Sequence, residues 1–197
     1  MSDLQAHLNG GGLVILAGDA LRGGDLDLAA AASRITPEAI AFMARHGRGL
    51  ICLGLSAARA RALRIEPQRS EAHSGSNRPF GRSIEAASGV TTGISAADRA
   101  RTIAVAVDPS STPEDLVSPG HIFPLIAKEE GPRVRLSTLE AGLALMQQLG
   151  LGEGVVLCAM LRDDGSMARL GEVRGWAASE GIPVIDIAEW VAANVPA

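Results

Sequence analysis

G-V-T-T-G-I-S-A-A-D-R-A-R-T, Gly89 to Thr102, with P-G-H-I-F-P-L following at Pro119 to Leu125, decides how this chain reads. The first segment opens on small, hydroxylated and charged residues with no apolar period, which build a poor core and a good enclosure for an anion. Beyond that opening the spacing changes. Ala100, Ile103, Ala104 and Val107 fall on one face of a helix, so a helix is expected from Ser95 to Val107. A pocket that surrounds an anion is the natural reading of the opening, although Thr91 and Thr92 also suit a plain turn beside Gly93.

At 197 residues and 47% hydrophobic, the chain is long enough for one good core and short for two, so one domain over residues 1–197 is expected. Its net charge is −4, with 18 basic and 22 acidic residues interspersed, which leaves no basic footprint for nucleic acid or an anionic membrane. A small anionic molecule is the expected partner. Cys52 and Cys158 lie in the apolar runs L-I-C-L and V-V-L-C, where buried reduced thiols are the rule, and a cytoplasmic location is expected from them. The chain has no apolar run long enough to cross a bilayer, and its first residues lack a basic region followed by an apolar one. Neither a membrane span nor a secretory leader is expected.

Helices and strands alternate outward from the opening motifs. A buried strand is expected at Leu13–Leu16, and a helix at Thr36–Arg45, where Thr-Pro-Glu supplies a cap and a first-turn proline. A strand at Gly49–Leu55 and a helix at Ser56–Leu63 follow, then a polar loop from Glu66 to Gly81. Beyond Pro119 the pattern gives a strand at Ile122–Ala127, a helix near Ser137–Leu149, a strand at Val155–Leu161, a helix at Ser166–Ser179, and a last strand and helix within Pro183–Asn194. The fold class is therefore α+β, with mixed α/β layers. No P-loop and no strand-linked G-x-G-x-x-G occurs.

The two opening motifs resemble the 3,4-dihydroxy-2-butanone 4-phosphate synthases of riboflavin biosynthesis, which carry T-T-G-[IV]-S-A-x-D-R-A-x-T-I and P-G-H-[IV]-F-P-L in this order. Thr36-Pro37-Glu38 with Phe42-Met43-Ala44-Arg45, Gly49-Leu50-Ile51-Cys52, Ser83-Ile84-Glu85-Ala86 and Asp164-Gly165-Ser166-Met167-Ala168-Arg169 extend the likeness from about Leu13 to Ile187. The resemblance implies a three-layer α+β fold, a homodimer with active sites at the subunit interface, and conversion of ribulose 5-phosphate to 3,4-dihydroxy-2-butanone 4-phosphate plus formate with Mg²⁺.

It also implies roles for particular residues. His121 takes the family's general acid/base position, with Asp25 and Asp98 as further catalytic carboxylates. Arg135, just ahead of an expected helix start, is the charged anchor for substrate, with Thr91, Thr92, Ser95 and Arg99 around it. Asp25 and Asp98 also have a plainer reading, as a helix cap and a first-turn acid.

Three departures from the family pattern stand out. The acidic loop R-E-N-E-G-D reads Ala20-Leu21-Arg22-Gly23-Gly24-Asp25, R-x-G-H-T-E-A places Thr138 at the histidine, and the glutamate after Cys158 is Ala159. In the family the first Glu of that loop and the His bind the metal, and the glutamate after the cysteine moves protons. The expectation drawn from these losses is that no metal is bound and that the family's Mg²⁺ is lost. The favoured reading is then a diverged, metal-independent acid/base enzyme acting on a small phosphorylated or carboxylated sugar-like substrate. A non-catalytic ligand-binding or regulatory paralogue is the alternative, and the family reaction itself, rescued by carboxylates outside the motifs such as Asp19, Asp27 or Glu140, comes third.

Overall fold

The computed structural model of the chain describes residues 2–19, 23–68 and 78–196. Ala20, Leu21, Arg22, His73 and most of the expected polar loop therefore lie outside the described residues. The elements in order are α1 (Ser2–Asn9), β1 (Val14–Asp19), β2 (Asp25–Ala31), α2 (Pro37–Phe42), β3 (Arg48–Leu55), α3 (Ala57–Ala62), β4 (Ile84–Ala86), α4 (Ala96–Val107), β5 (Leu116–Ile126), α5 (Thr138–Gln148), β6 (Gly154–Met160), α6 (Leu170–Ser179), β7 (Val184–Asp186) and α7 (Ile187–Asn194). A wide helical turn, Met43–Gly47, carries α2 into β3.

Side chains place the helix starts. Thr36 accepts the N–H of Ala39 and Pro37 sits in the first turn of α2, while Ser56, Ser95 and Ser137 cap α3, α4 and α5 in the same way. The strands form one seven-stranded sheet in the order β4-β5-β3-β6-β2-β1-β7. It is mixed: β3/β5 and β1/β7 run parallel, and β1/β2, β2/β6, β3/β6 and β4/β5 run antiparallel.

Alternation along the strands loads both faces with apolar residues. One face carries Ile15, Leu26, Leu28, Ile51, Leu53, Val156 and Cys158 and is covered by Ile40 of α2, Ile103 of α4 and Ala177 of α6. The other carries Val14, Leu16, Ala29, Cys52, Leu125, Val155 and Leu157 and is covered by Leu8 of α1, Leu143 of α5 and Ile187 of α7. Helices thus cover both faces, the layered α+β arrangement expected from the sequence.

Three elements were not expected. α1 is a short N-terminal helix, β4 is only Ile84–Ala86, and β2 is D-L-D-L-A-A-A, all seven positions buried. Asp25 therefore opens a strand and caps no helix, because the segment after it is pinned between β1 and β6. β5 also begins six residues ahead of the expected Ile122, since β4 pairs with its first half.

Candidate functional site

The expected site residues fall into two groups. In the first, Ser95 and Asp98 stand at the start of α4, the T-T-G turn precedes them, and His121 projects from β5. Asp98 takes hydrogen bonds from the backbone N–H of Thr91 (3.1 Å), the Thr91 hydroxyl (2.9 Å) and the N–H of Gly93 (3.0 Å). Burial pushes its carboxyl up, and the hydrogen bonds from Thr91, Gly93 and Ser95 outweigh this and hold it below its ordinary range. All its described contacts hold the turn in shape. Thr92 is exposed beside it.

Glu85 of β4, which the sequence reading quoted without a role, lies against His121. Its Oε2 is 2.7 Å from His121 Nδ1 and accepts the His121 backbone N–H at 3.2 Å. The Thr102 hydroxyl of α4 donates to Glu85 Oε1 at 2.7 Å. A β-carbon at Gly93 would collide with both the Glu85 carboxylate and the His121 ring, so the T-T-G turn fits only as glycine, at φ +82°. Gly120 is likewise required, because its α-carbon packs on the backbone of Ile84.

The second group lies across the sheet. Phe123 faces Cys52, Cys52 faces Leu157 and Leu157 faces Ala29 in one row, and His121 and Asp27 each stand two residues before that row on β5 and β2, with a bulge in β3 between Arg48 and Ile51. His121 and Asp27 are three strand steps apart there, about 14 Å at the usual interstrand spacing. Asp27 is fully buried, and Arg78 reaches it with Nη2 at 3.3 and 3.5 Å from its carboxylate oxygens. The Thr138 hydroxyl lies 2.5 Å from Asp27 Oδ2 and 3.2 Å from Asp19 Oδ2, and the Thr138 N–H donates to Asp19. Asp25 lies 3.2 Å from Arg169. Asp19 and Asp27 are two of the carboxylates outside the motifs through which the sequence allows the family reaction, whereas Arg78 has no role in that reading. The signal that could have set the two aspartates apart is polarity inside otherwise apolar strands.

Arg135 precedes α5, as expected, but its guanidinium is paired with Glu140 at 2.9 Å and its Nε is buried without a hydrogen-bond partner. Glu140 also takes hydrogen bonds from Ser137 and the Lys128 N–H. An anion at Arg135 therefore competes with a resident carboxylate. Arg99 lies on α4, which covers the opposite side of the sheet from α5; burial lowers its pKa, and its Nε lacks a hydrogen-bond partner. No described hydrogen bond or ion pair joins Arg135, Asp25 or Arg99 to the His121 group.

The sequence family described as 3,4-dihydroxy-2-butanone 4-phosphate synthase matches residues 2–193. The chain belongs to the 3,4-dihydroxy-2-butanone 4-phosphate synthase family. It is 44% identical over 191 residues to a protein of that name from Neisseria meningitidis serogroup B, covering 96% of this chain and 52% of the relative. It is 41% identical over 181 residues to one from Chromobacterium violaceum, covering 90% of this chain and 86% of the relative. The chain thus spans about half the length of several of the curated relatives it matches. Among solved structures, a synthase in complex with two magnesium ions superimposes with a TM-score of 0.90 at 30% identity, covering 98% of this chain and 94% of that one.

That magnesium complex corrects the expectation that no metal is bound and that the family's Mg²⁺ is lost: a synthase with this fold holds the ion. The physical reason lies in what magnesium asks of a protein. One or two carboxylates suffice, with water and substrate oxygens completing the octahedron, so neither a glutamate in the acidic-loop motif nor a histidine at position 138 is required. Among the described residues no group of three or more His, Cys, Asp or Glu gathers as a metal cluster. Asp19 and Asp27, which share the Thr138 hydroxyl, present two hard oxygen donors of the kind magnesium takes, and Asp27 is also paired with Arg78.

Proposed function

We propose that the chain carries out the family reaction, converting ribulose 5-phosphate to 3,4-dihydroxy-2-butanone 4-phosphate and formate with Mg²⁺, and that it does so in the cytoplasm. The observation that supports this most is the His121–Glu85 contact beneath the T-T-G turn, within a chain that matches the family over residues 2–193. On this reading His121 exchanges protons with the sugar carbons and hydroxyls through its open ring nitrogen. Asp19 and Asp27 would hold the magnesium, which supplies a Lewis acid for the oxygens of the enediolate. Arg135 and the Thr91–Ser95 turn are proposed as the phosphate contacts.

A homodimer is part of the same proposal. A five-carbon sugar phosphate spans roughly 8 Å at ordinary bond lengths, whereas His121 and Asp27 of one chain are about 14 Å apart across the sheet. Two copies placed with the His121 group of one against the Asp27 group of the other close that gap. Exposed apolar side chains support it: Ile94 adjoins Gly93, Val117 pairs with Glu85, and Leu50 stands on β3, the strand beside β5.

The test is formate release from ribulose 5-phosphate by the purified chain, with sedimentation run alongside. Magnesium-dependent release that stops with EDTA and with His121→Ala is expected, from a dimer at micromolar concentration. No release with magnesium present would overturn the reaction, and a monomer that turns over would overturn the assembly.

A further inference from the structure

We infer that Glu85 is the positioning residue of His121, fixing which ring nitrogen carries the proton and which is left to work. This rests on the proposed acid/base use of His121, although the geometry itself is independent of the substrate. The Glu85 side chain is 10% exposed and that of His121 43%, so the carboxylate is enclosed and the ring reaches the surface.

Three groups converge on the carboxylate. The Thr102 hydroxyl takes one oxygen; the His121 backbone N–H and Nδ1 share the other. Thr102 is itself fully buried and oriented by the Ala86 N–H, which donates to its oxygen at 3.1 Å, so its proton is directed at Glu85. An ionised carboxylate only accepts, and Nδ1 at 2.7 Å must therefore be the protonated nitrogen. Nε2 is left with its lone pair on the exposed side of the ring. Main-chain and side-chain bonds from one residue to one oxygen also fix the ring's rotation about its own backbone.

The turn above seals this contact. Gly93 lies so close to Oε2 and Nδ1 that a methyl group does not fit, which keeps water out of the bond, and Asp98 anchors the turn through the Gly93 N–H. Asp98 thus acts two steps away from the ring, through the turn that covers Glu85. When Nε2 takes up a proton, Glu85 is the fixed negative partner of the cation. The same division of labour, a carboxylate holding the tautomer and a histidine moving the proton, operates in hydrolytic triads on unrelated folds.

The experiment has a reaction-independent arm. Nitrogen-15 NMR of the four histidines, with His121 assigned by the loss of its signals in His121→Ala, reads the tautomer directly. Wild-type His121 is expected in the Nδ1–H form, and Glu85→Gln is expected to convert it to a mixture of both. An Nε2–H ring in the wild type, or an unchanged spectrum in Glu85→Gln, overturns the inference. In the kinetic arm, Glu85→Gln is expected to lower kcat about a hundredfold with KM within about twofold, and to add nothing in a His121→Ala background. A further loss in that background would mean that Glu85 acts on its own, which also overturns the inference. If Glu85→Gln does not fold, the wild-type spectrum alone decides. Should the wild type show the expected tautomer and release no formate, the proposed reaction fails and the positioning role stands.

Discussion

Asp27 and Ala159 face each other directly across the β2/β6 antiparallel pair, so a side chain at 159 shares its face of the sheet with a buried carboxylate. Position 159 is where the family pattern has a glutamate. Here the negative charge on that face stands one strand over, at Asp27, with Arg78 and Thr138 built around it.

Restoring the glutamate should therefore harm the fold. Ala159→Glu sets two like charges directly opposite each other, a cost of about 1 kcal/mol and roughly 2–4 °C in melting temperature for a chain of this length. Scanning calorimetry of the variant checks it; an unchanged or higher melting temperature would count against the cross-strand contact.

Removing the cation from the buried pair should cost more. Arg78→Ala leaves the fully buried Asp27 carboxylate without this guanidinium, while the Thr138 hydroxyl remains. Breaking one side of such a pair costs on the order of 3 kcal/mol. Denaturant titration should show the midpoint falling with the m-value unchanged.

Asp98 gives a pH dependence whose sign is fixed. Its folded-state pKa lies below the ordinary 3.8, so its stabilising contribution is complete above that value and is lost as pH falls through the lower folded value. The difference in melting temperature between wild type and Asp98→Asn is expected to be steady near neutrality and to close as the pH drops below the ordinary aspartate range. A difference that widens in acid would refute the hydrogen-bond account of the turn.

Both thiols should be inert in the native protein. Burial pushes Cys52 up to about 12, against the opposing pull of Arg78, and burial likewise pushes Cys158 up to about 12. A disulfide reagent at mildly alkaline pH is expected to label neither cysteine until denaturant is added, when both react. Rapid labelling of Cys52 in the folded protein would place it in a more open setting than the sheet provides.

The parts of this fold that were legible share a local cause. Thr36-Pro37-Glu38 announces α2 by capping chemistry, and G-L-I-C-L-G-L and V-V-L-C-A-M announce β3 and β6 by β-branched and large apolar side chains. β2 hides because alanine and aspartate are poor strand formers; D-L-D-L-A-A-A is a strand only because β1 and β6 flank it. The first half of β5 hides for a similar reason, since V-S-P-G-H has the residues of a loop. His121 was legible from its motif, but its partner lies 36 residues away, and Asp27 meets Arg78 across 51 residues and Thr138 across 111. Tertiary pairing of that kind leaves no periodic trace. The metal was not legible because the motif glutamate and histidine that bind it in the family are both replaced, whereas magnesium needs only one or two carboxylates and the two aspartates beside Thr138 belong to no motif.

The two-faced core has a practical consequence for anyone following the protein in solution. The chain has no tyrosine and only two tryptophans, and each face of the sheet received one. Trp176 stacks with Phe42 and His46 against the layer that holds α2, α4 and α6, and Trp190 packs with the layer that holds α5 and α7. Near-ultraviolet emission thus comes from two lamps on opposite sides of one wall. Replacing either tryptophan with phenylalanine leaves a single-site fluorophore for the other side, so loss of the two layers during unfolding can be timed separately without attaching any dye.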